Sequence, residues 1–75
     1  MKYIVTSAYY YINDGYIVPS FEMVGTKIQC RTFVRNFINR ANFVKDHYTD
    51  DQGNEITELI LANGDEFVLS IQPFN

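Results

Sequence analysis

This 75-residue sequence predicts an α+β fold in the order ββαββ, a four-stranded antiparallel sheet with one amphipathic helix on one face. Three observations lead there. Two stretches rich in Tyr, Ile and Val meet at Asn13-Asp14-Gly15, one central stretch has helical apolar spacing, and two alternating stretches near the end of the chain meet at Asn63-Gly64. The competing architecture is a small all-β barrel in which 27–38 is a strand, because Ile28, Cys30, Thr32 and Val34 also alternate with Gln29, Arg31 and Phe33.

The first pair of strands, 3–12 and 16–24, is expected to turn at Asp14-Gly15, with Ile12 opposite Ile17. That register puts Ile4, Ala8, Tyr10, Ile12, Ile17, Phe21 and Met23 on one face and Tyr3, Val5, Tyr9, Tyr11, Tyr16 and Val18 on the other. A three-residue loop would shift the register by one and exchange the partners, and both faces would still be half apolar. Pro19 lacks an N–H to donate, so the second strand belongs at a sheet edge or beside a bulge. Gly25 ends it.

At about 100° per residue, Cys30, Phe33, Val34, Phe37, Ile38, Ala41 and Val44 share one side of a helix, opposite Arg31, Thr32, Arg35, Asn36, Asn39 and Asn42. The spacing predicts a helix over 30–44, starting between Thr26 and Thr32, either of which can cap it. Its Phe, Val, Ile, Thr and Asn residues are mediocre helix formers, so it must be held by packing on the sheet.

His47 to Asn54 is dense in turn formers and reads as an exposed loop. The last two strands are 55–62 and 65–72. A two-residue Asn63-Gly64 turn would place Glu58 among apolar neighbours. A three-residue loop, Ala62-Asn63-Gly64 with Gly64 left-handed, instead gathers Leu59, Leu61, Phe67, Leu69 and Ile71 on one face and Glu58, Glu66 and Ser70 on the other. The second is preferred because it buries no carboxylate.

Length allows one domain, 1–75, that buries about 60% of its unfolded surface. The composition, 47% hydrophobic and without a low-complexity run, is that of a folded chain. One cysteine allows no intrachain disulfide, which points to a cytoplasmic setting. The start of the chain does not read as a signal peptide, and no stretch approaches the roughly 20 apolar residues of a membrane span, so no membrane association is expected.

Net charge is −3, unevenly laid out: Lys27, Arg31, Arg35, Arg40 and Lys45 make up five of the six basic residues, and seven of the nine acids follow in 46–66. Internal compensation between a basic helix and an acidic hairpin is the favoured explanation. On the wheel Arg40 stands away from Arg31 and Arg35, so the five cations form no single stripe.

The sequence offers little chemistry. Cys30 falls on the apolar stripe as an inert thiol, and His47 is expected in a solvated loop. Asp46, His47, Asp50, Asp51 and Glu55 do not match an EF-hand, since Gly53 as sixth residue puts Tyr48 first, and one Cys with one His excludes a zinc pattern. No phosphate-binding glycine loop is present. The expectation is a protein with no catalytic residues, no metal and no cofactor.

What remains is surface. Six tyrosines are many for this length, and Tyr9, Tyr11 and Tyr16, with Val18, are the interface candidates, expected on the hairpin face turned away from the helix. The reading is a non-enzymatic protein-interaction module, an inhibitor or adaptor of the kind carried by phages and other mobile elements, that binds a larger protein or forms a homodimer. The alternative is a nucleic-acid binder using Lys27, Arg31, Arg35, Arg40 and Lys45 for phosphates and tyrosines for stacking.

Overall fold

Thr26 sets where the helix begins. Its hydroxyl accepts from the Gln29 backbone N–H (3.1 Å) while the Gln29 side-chain oxygen accepts from the Thr26 N–H (2.9 Å), a reciprocal cap that satisfies two donors at the helix start. In this computed structural model, which describes residues 1–74, the chain runs β1 (Lys2–Tyr11), β2 (Tyr16–Gly25), α1 (Lys27–Ile38), β3 (Phe43–Thr49), β4 (Glu55–Ile60) and β5 (Glu66–Phe74). The fold is α+β, with five antiparallel strands in the order β2-β1-β5-β4-β3 rather than four. Segment 27–38 is helical, which sets the all-β barrel aside.

The additional strand is β3, where a continuing helix and then a loop were expected. The helix stops at Asn39, whose N–H still reaches the Arg35 carbonyl, and the Asn42 N–H leaves the helix to bond the Ile60 carbonyl at 2.9 Å. Phe43 and Val44 have strand propensity and a ladder partner in β4, so both favour extension. Every residue of β3 is exposed, and its pairing shifts between Val44 and Asp46, which breaks the alternation a sequence reading depends on. The turn that follows is held by Asp50, whose carboxylate accepts from the Gln52 and Asn54 backbones and the Asn54 amide.

The first hairpin turns over four residues, Ile12 to Gly15, and pairs Tyr11 with Tyr16 and Tyr10 with Ile17, two residues away from the expected register. An even shift preserves parity, so the two faces keep their membership as far as Phe21. Beyond it the pairing jumps from Phe21 to Met23, leaving Glu22 in a bulge where its carboxylate accepts from the buried Ser7 hydroxyl at 2.9 Å. The bulge turns Met23 onto the face of Val5, opposite to expectation, where it packs on the core.

The last hairpin has the preferred three-residue loop. Leu59 pairs with Phe67, Leu61 N–H bonds the Asp65 carbonyl, and Gly64 takes φ +89°. Pro19 lies on the edge strand β2.

Because β2 and β3 are opposite edges, the connection between them must cross a sheet about 19 Å wide: α1, about 18 Å long, covers part of the way and residues 39–42 carry the chain on to β3. It rests on β1, β2 and β5. The core beneath it is Val5, Cys30, Val34, Leu59, Leu69 and Ile71, joined by Tyr3, Met23, Phe33, Phe37, Ile38, Ala41 and Phe67.

Candidate functional site

Three surface features are candidates. The first is a cleft of about 410 Å³ where the outer flank of α1 parts from β3 and β4, lined by Arg31, Arg35, Val34, Ile38, His47, Glu55, Thr57 and Ile71. Its one carboxylate, Glu55, is held by Arg31 and Lys27. Arg31 grips Glu55 with Nη2 at 2.7 Å and Nε at 3.1 Å, and Lys27 adds its ammonium at 3.7 Å. The hydrogen bonds from Arg31 hold the Glu55 carboxyl below its ordinary range, against the opposing effect of burial, and in turn raise Arg31. His47 lies in β3 rather than in a loop, and its Nδ1 is 2.8 Å from the buried Thr57 hydroxyl.

Cys30 is fully buried on the inner side of α1, and burial pushes its thiol pKa up, so it is not poised as a thiolate. Among the described residues no three His, Cys, Asp or Glu side chains are grouped to hold a metal ion, and no helix is long and apolar enough to cross a membrane.

Of the five cations of the alternative reading, Lys27, Arg31 and Arg35 follow one another at helical spacing along α1, while Arg40, exposed past its end, and Lys45 on β3 stand apart from them. Lys27 and Arg31 serve Glu55, and Lys45 pairs with Glu66 at 2.8 Å from the bulged part of β3. Arg35 lines the cleft. Internal compensation thus accounts for Lys27, Arg31 and Lys45, three of the five.

The second feature is the tyrosine array. Tyr9, Tyr11, Tyr16 and Val18 lie on the same side as α1, not away from it, which corrects the expectation. Tyr9 pairs with Phe67, whose ring stacks on Phe37 of the helix at 5.2 Å. Rings then follow in series from Phe67 to Tyr9 (6.0 Å), Tyr11 (4.5 Å) and Tyr16 (4.8 Å), so the array continues the core past the helix end. The Tyr9 hydroxyl donates to Asp65 at 2.9 Å and accepts from Asn63. Asn63 alone would lower the Tyr9 pKa, but Asp65 and partial burial raise it on balance. Tyr9 and Tyr11 are thus committed to neighbours, and only Tyr16, with Val18 beside it, is turned largely to solvent.

The third feature is the opposite face of the sheet, over which the described residues lay no element. Its β2-β1-β5 portion carries Ile17, Pro19, Phe21 and Val24, then Ile4, Thr6, Ala8 and Tyr10, then Val68 and Ser70. Phe21 is 61% exposed and Ile17 54%. An open hollow is lined by Ile4, Thr6, Ala8, Pro19, Phe21, Val68 and Ser70. At its end β5 adds Glu66, beside Tyr10 and paired with Lys45, and the β4-β3 portion adds Ile56, Ile60 and Phe43 with Glu58, which accepts from the Tyr48 hydroxyl at 3.0 Å and raises the Tyr48 pKa.

Sequence alternation grouped Ile4, Ala8, Tyr10, Ile17 and Phe21 correctly but had no means of knowing that theirs was the uncovered face, because both faces are half apolar. Phe43 was missed with its strand. Comparison with protein-family models, curated proteins and solved structures finds no match to this chain.

Proposed function

We propose that this chain is a small non-enzymatic protein-interaction module whose working surface is the uncovered face of the sheet. The observation that carries the reading is the apolar patch of Ile17, Pro19 and Phe21 on β2, with Ile4 and Ala8 on β1 and Val68 on β5 beside it, in which Ile17 and Phe21 stand in water on a face with no covering element among the described residues. Monomeric proteins rarely leave a contiguous apolar surface of this kind open unless a partner covers it. The tyrosine array is a poorer candidate because Tyr9 and Tyr11 already have ring and hydroxyl partners. A partner's surface would be occupied rather than chemically altered, as by an inhibitor or adaptor, and the single buried thiol suits a reducing cytoplasm.

The test is capture by a tagged chain from its native cytosol, with and without nuclease, untagged copies of the chain being counted among the captured proteins. A protein held by the native chain and by Tyr16→Ser, and lost from a folded Phe21→Lys, is the expected result. Capture indifferent to Phe21→Lys, or dependent on nucleic acid, overturns the reading.

A further inference from the structure

We propose that the occupant of the open face is a second copy of this chain, packed sheet to sheet over β2, β1 and β5 in a symmetric dimer with layers α-β-β-α. The proposal rests on the reading of that face as an interface and adds the identity of its partner.

The first argument is shape. Phe21 projects from β2 at the rim of the hollow, and the hollow's floor is made of small side chains, Thr6 and Ala8 of β1 with Ser70 and Val68 of β5. The hollow therefore spans from β2 over β1 to β5, with the Phe21 knob at its β2 side and small side chains open at its β5 side. A two-fold axis running along β1 exchanges them, so each Phe21 enters the other copy's hollow, with β2 over β5 and β1 over β1. A surface that carries both its own knob and its own socket needs no other protein to complete it.

Charge gives the second argument. Between Pro19 and Val24 of β2, Ile4 and Ala8 of β1, and Val68 and Ser70 of β5, this face presents no ionised side chain, so a like copy meets no like charge there. Glu66 stands at the end of β5 beside Tyr10 and enters the edge of the overlap already neutralised by Lys45 at 2.8 Å, while Glu58 lies on β4 outside it. Aligned packing of two twisted sheets fits this geometry.

Area sets the strength. Three strands at about 4.8 Å spacing and about 30 Å of length give a footprint on the order of 500 Å² per copy, at the low end for specific interfaces, so the dimer should be of micromolar affinity.

The experiment is sedimentation equilibrium on the purified full chain from about 1 μM to about 1 mM, a range bracketing such an affinity. The mass should rise from 8.8 kDa toward twice that value, with little dependence on salt. Phe21→Lys should weaken the dimer by at least about tenfold, the scale of losing one anchor at an interface centre, while Tyr16→Lys on the other side should leave it unchanged. Isotope-filtered NMR on a mixture of labelled and unlabelled native chain should show contacts between the Phe21 ring of one copy and the Ala8 methyl of the other, a readout independent of any variant's folding. A native chain that stays single throughout the range overturns the dimer, and capture of a different protein through Phe21 would then leave the interaction reading standing. A dimer without the Phe21 to Ala8 contact also overturns it.

Discussion

One sheet presents two faces made from alternate residues of the same strands, and they have opposite fates. Toward α1, Val5, Leu59 and Leu69 are completely buried, whereas on the other side of the same strands Ile4, Ile60 and Val68 are only half buried and Phe21 stands in solvent. The residue types hardly differ. What differs is that the described residues form one helix, and it can lie on only one side of the sheet. Hydrophobicity makes a residue available for burial, and a covering layer decides whether burial happens.

The largest expected effect tests that contrast on adjacent residues. Leu69→Ala should cost about 3 to 4 kcal/mol by emptying a site at 0% exposure, and Val68→Ala, its neighbour on the open face, should cost less than about 1 kcal/mol in dilute solution. Equal losses in urea denaturation would mean that the faces are not energetically distinct. If Val68→Ala becomes costly only as protein concentration rises, the open face is being covered by another copy.

Gly64 keeps Leu59 and Leu69 facing the helix by closing the β4-β5 loop at φ +89°, with open space where a Cβ would stand. Gly64→Val should destabilise by more than about 1 kcal/mol, and Gly64→Asn should be milder because Asn tolerates the left-handed region. Similar midpoints for both variants would remove the backbone argument. Next in size is the helix cap. Thr26→Ala should cost about 1 kcal/mol through loss of the reciprocal cap, with Thr26→Ser retaining most of it.

The smallest effect concerns Glu55, which ties the helix to β4. Its folded pKa is depressed by the Arg31 hydrogen bonds, so the stability it contributes is present above the unfolded glutamate pKa and is lost as pH falls through the folded value. Arg31 is half exposed, so solvent screening limits this to less than about 1 kcal/mol. Urea midpoints of the native chain and Glu55→Gln should differ at neutral pH and converge in acid. Parallel curves would show that the pair does not couple α1 to β4.

Some of this was legible in the residues themselves. Of the helical stripe expected from Cys30 to Val44, Cys30, Phe33, Val34, Phe37 and Ile38 do meet the sheet from α1, because a 3.6-residue period is a local property of the chain, whereas Ala41 and Val44 lie past the helix end. Gly64 and the Leu59-Phe67 register followed from turn chemistry and the refusal to bury Glu58, which are also local. Pro19 marked an edge because its missing N–H forbids a central position.

Tertiary structure alone decided the rest. β3 exists because β4 offers it a ladder, and with no buried side and a shifted pairing at Lys45 it leaves no alternation to read. The bulge at Glu22 sends Met23 inward only because Ser7 and the core are there to receive the displaced residues. The sorting of Tyr9 and Tyr11 to the helix side, and of Phe21 to the open side, depended on which half-apolar face the crossing helix would take. Alternation is symmetric between the faces of a strand, and the symmetry is broken only when a distant element packs on one of them.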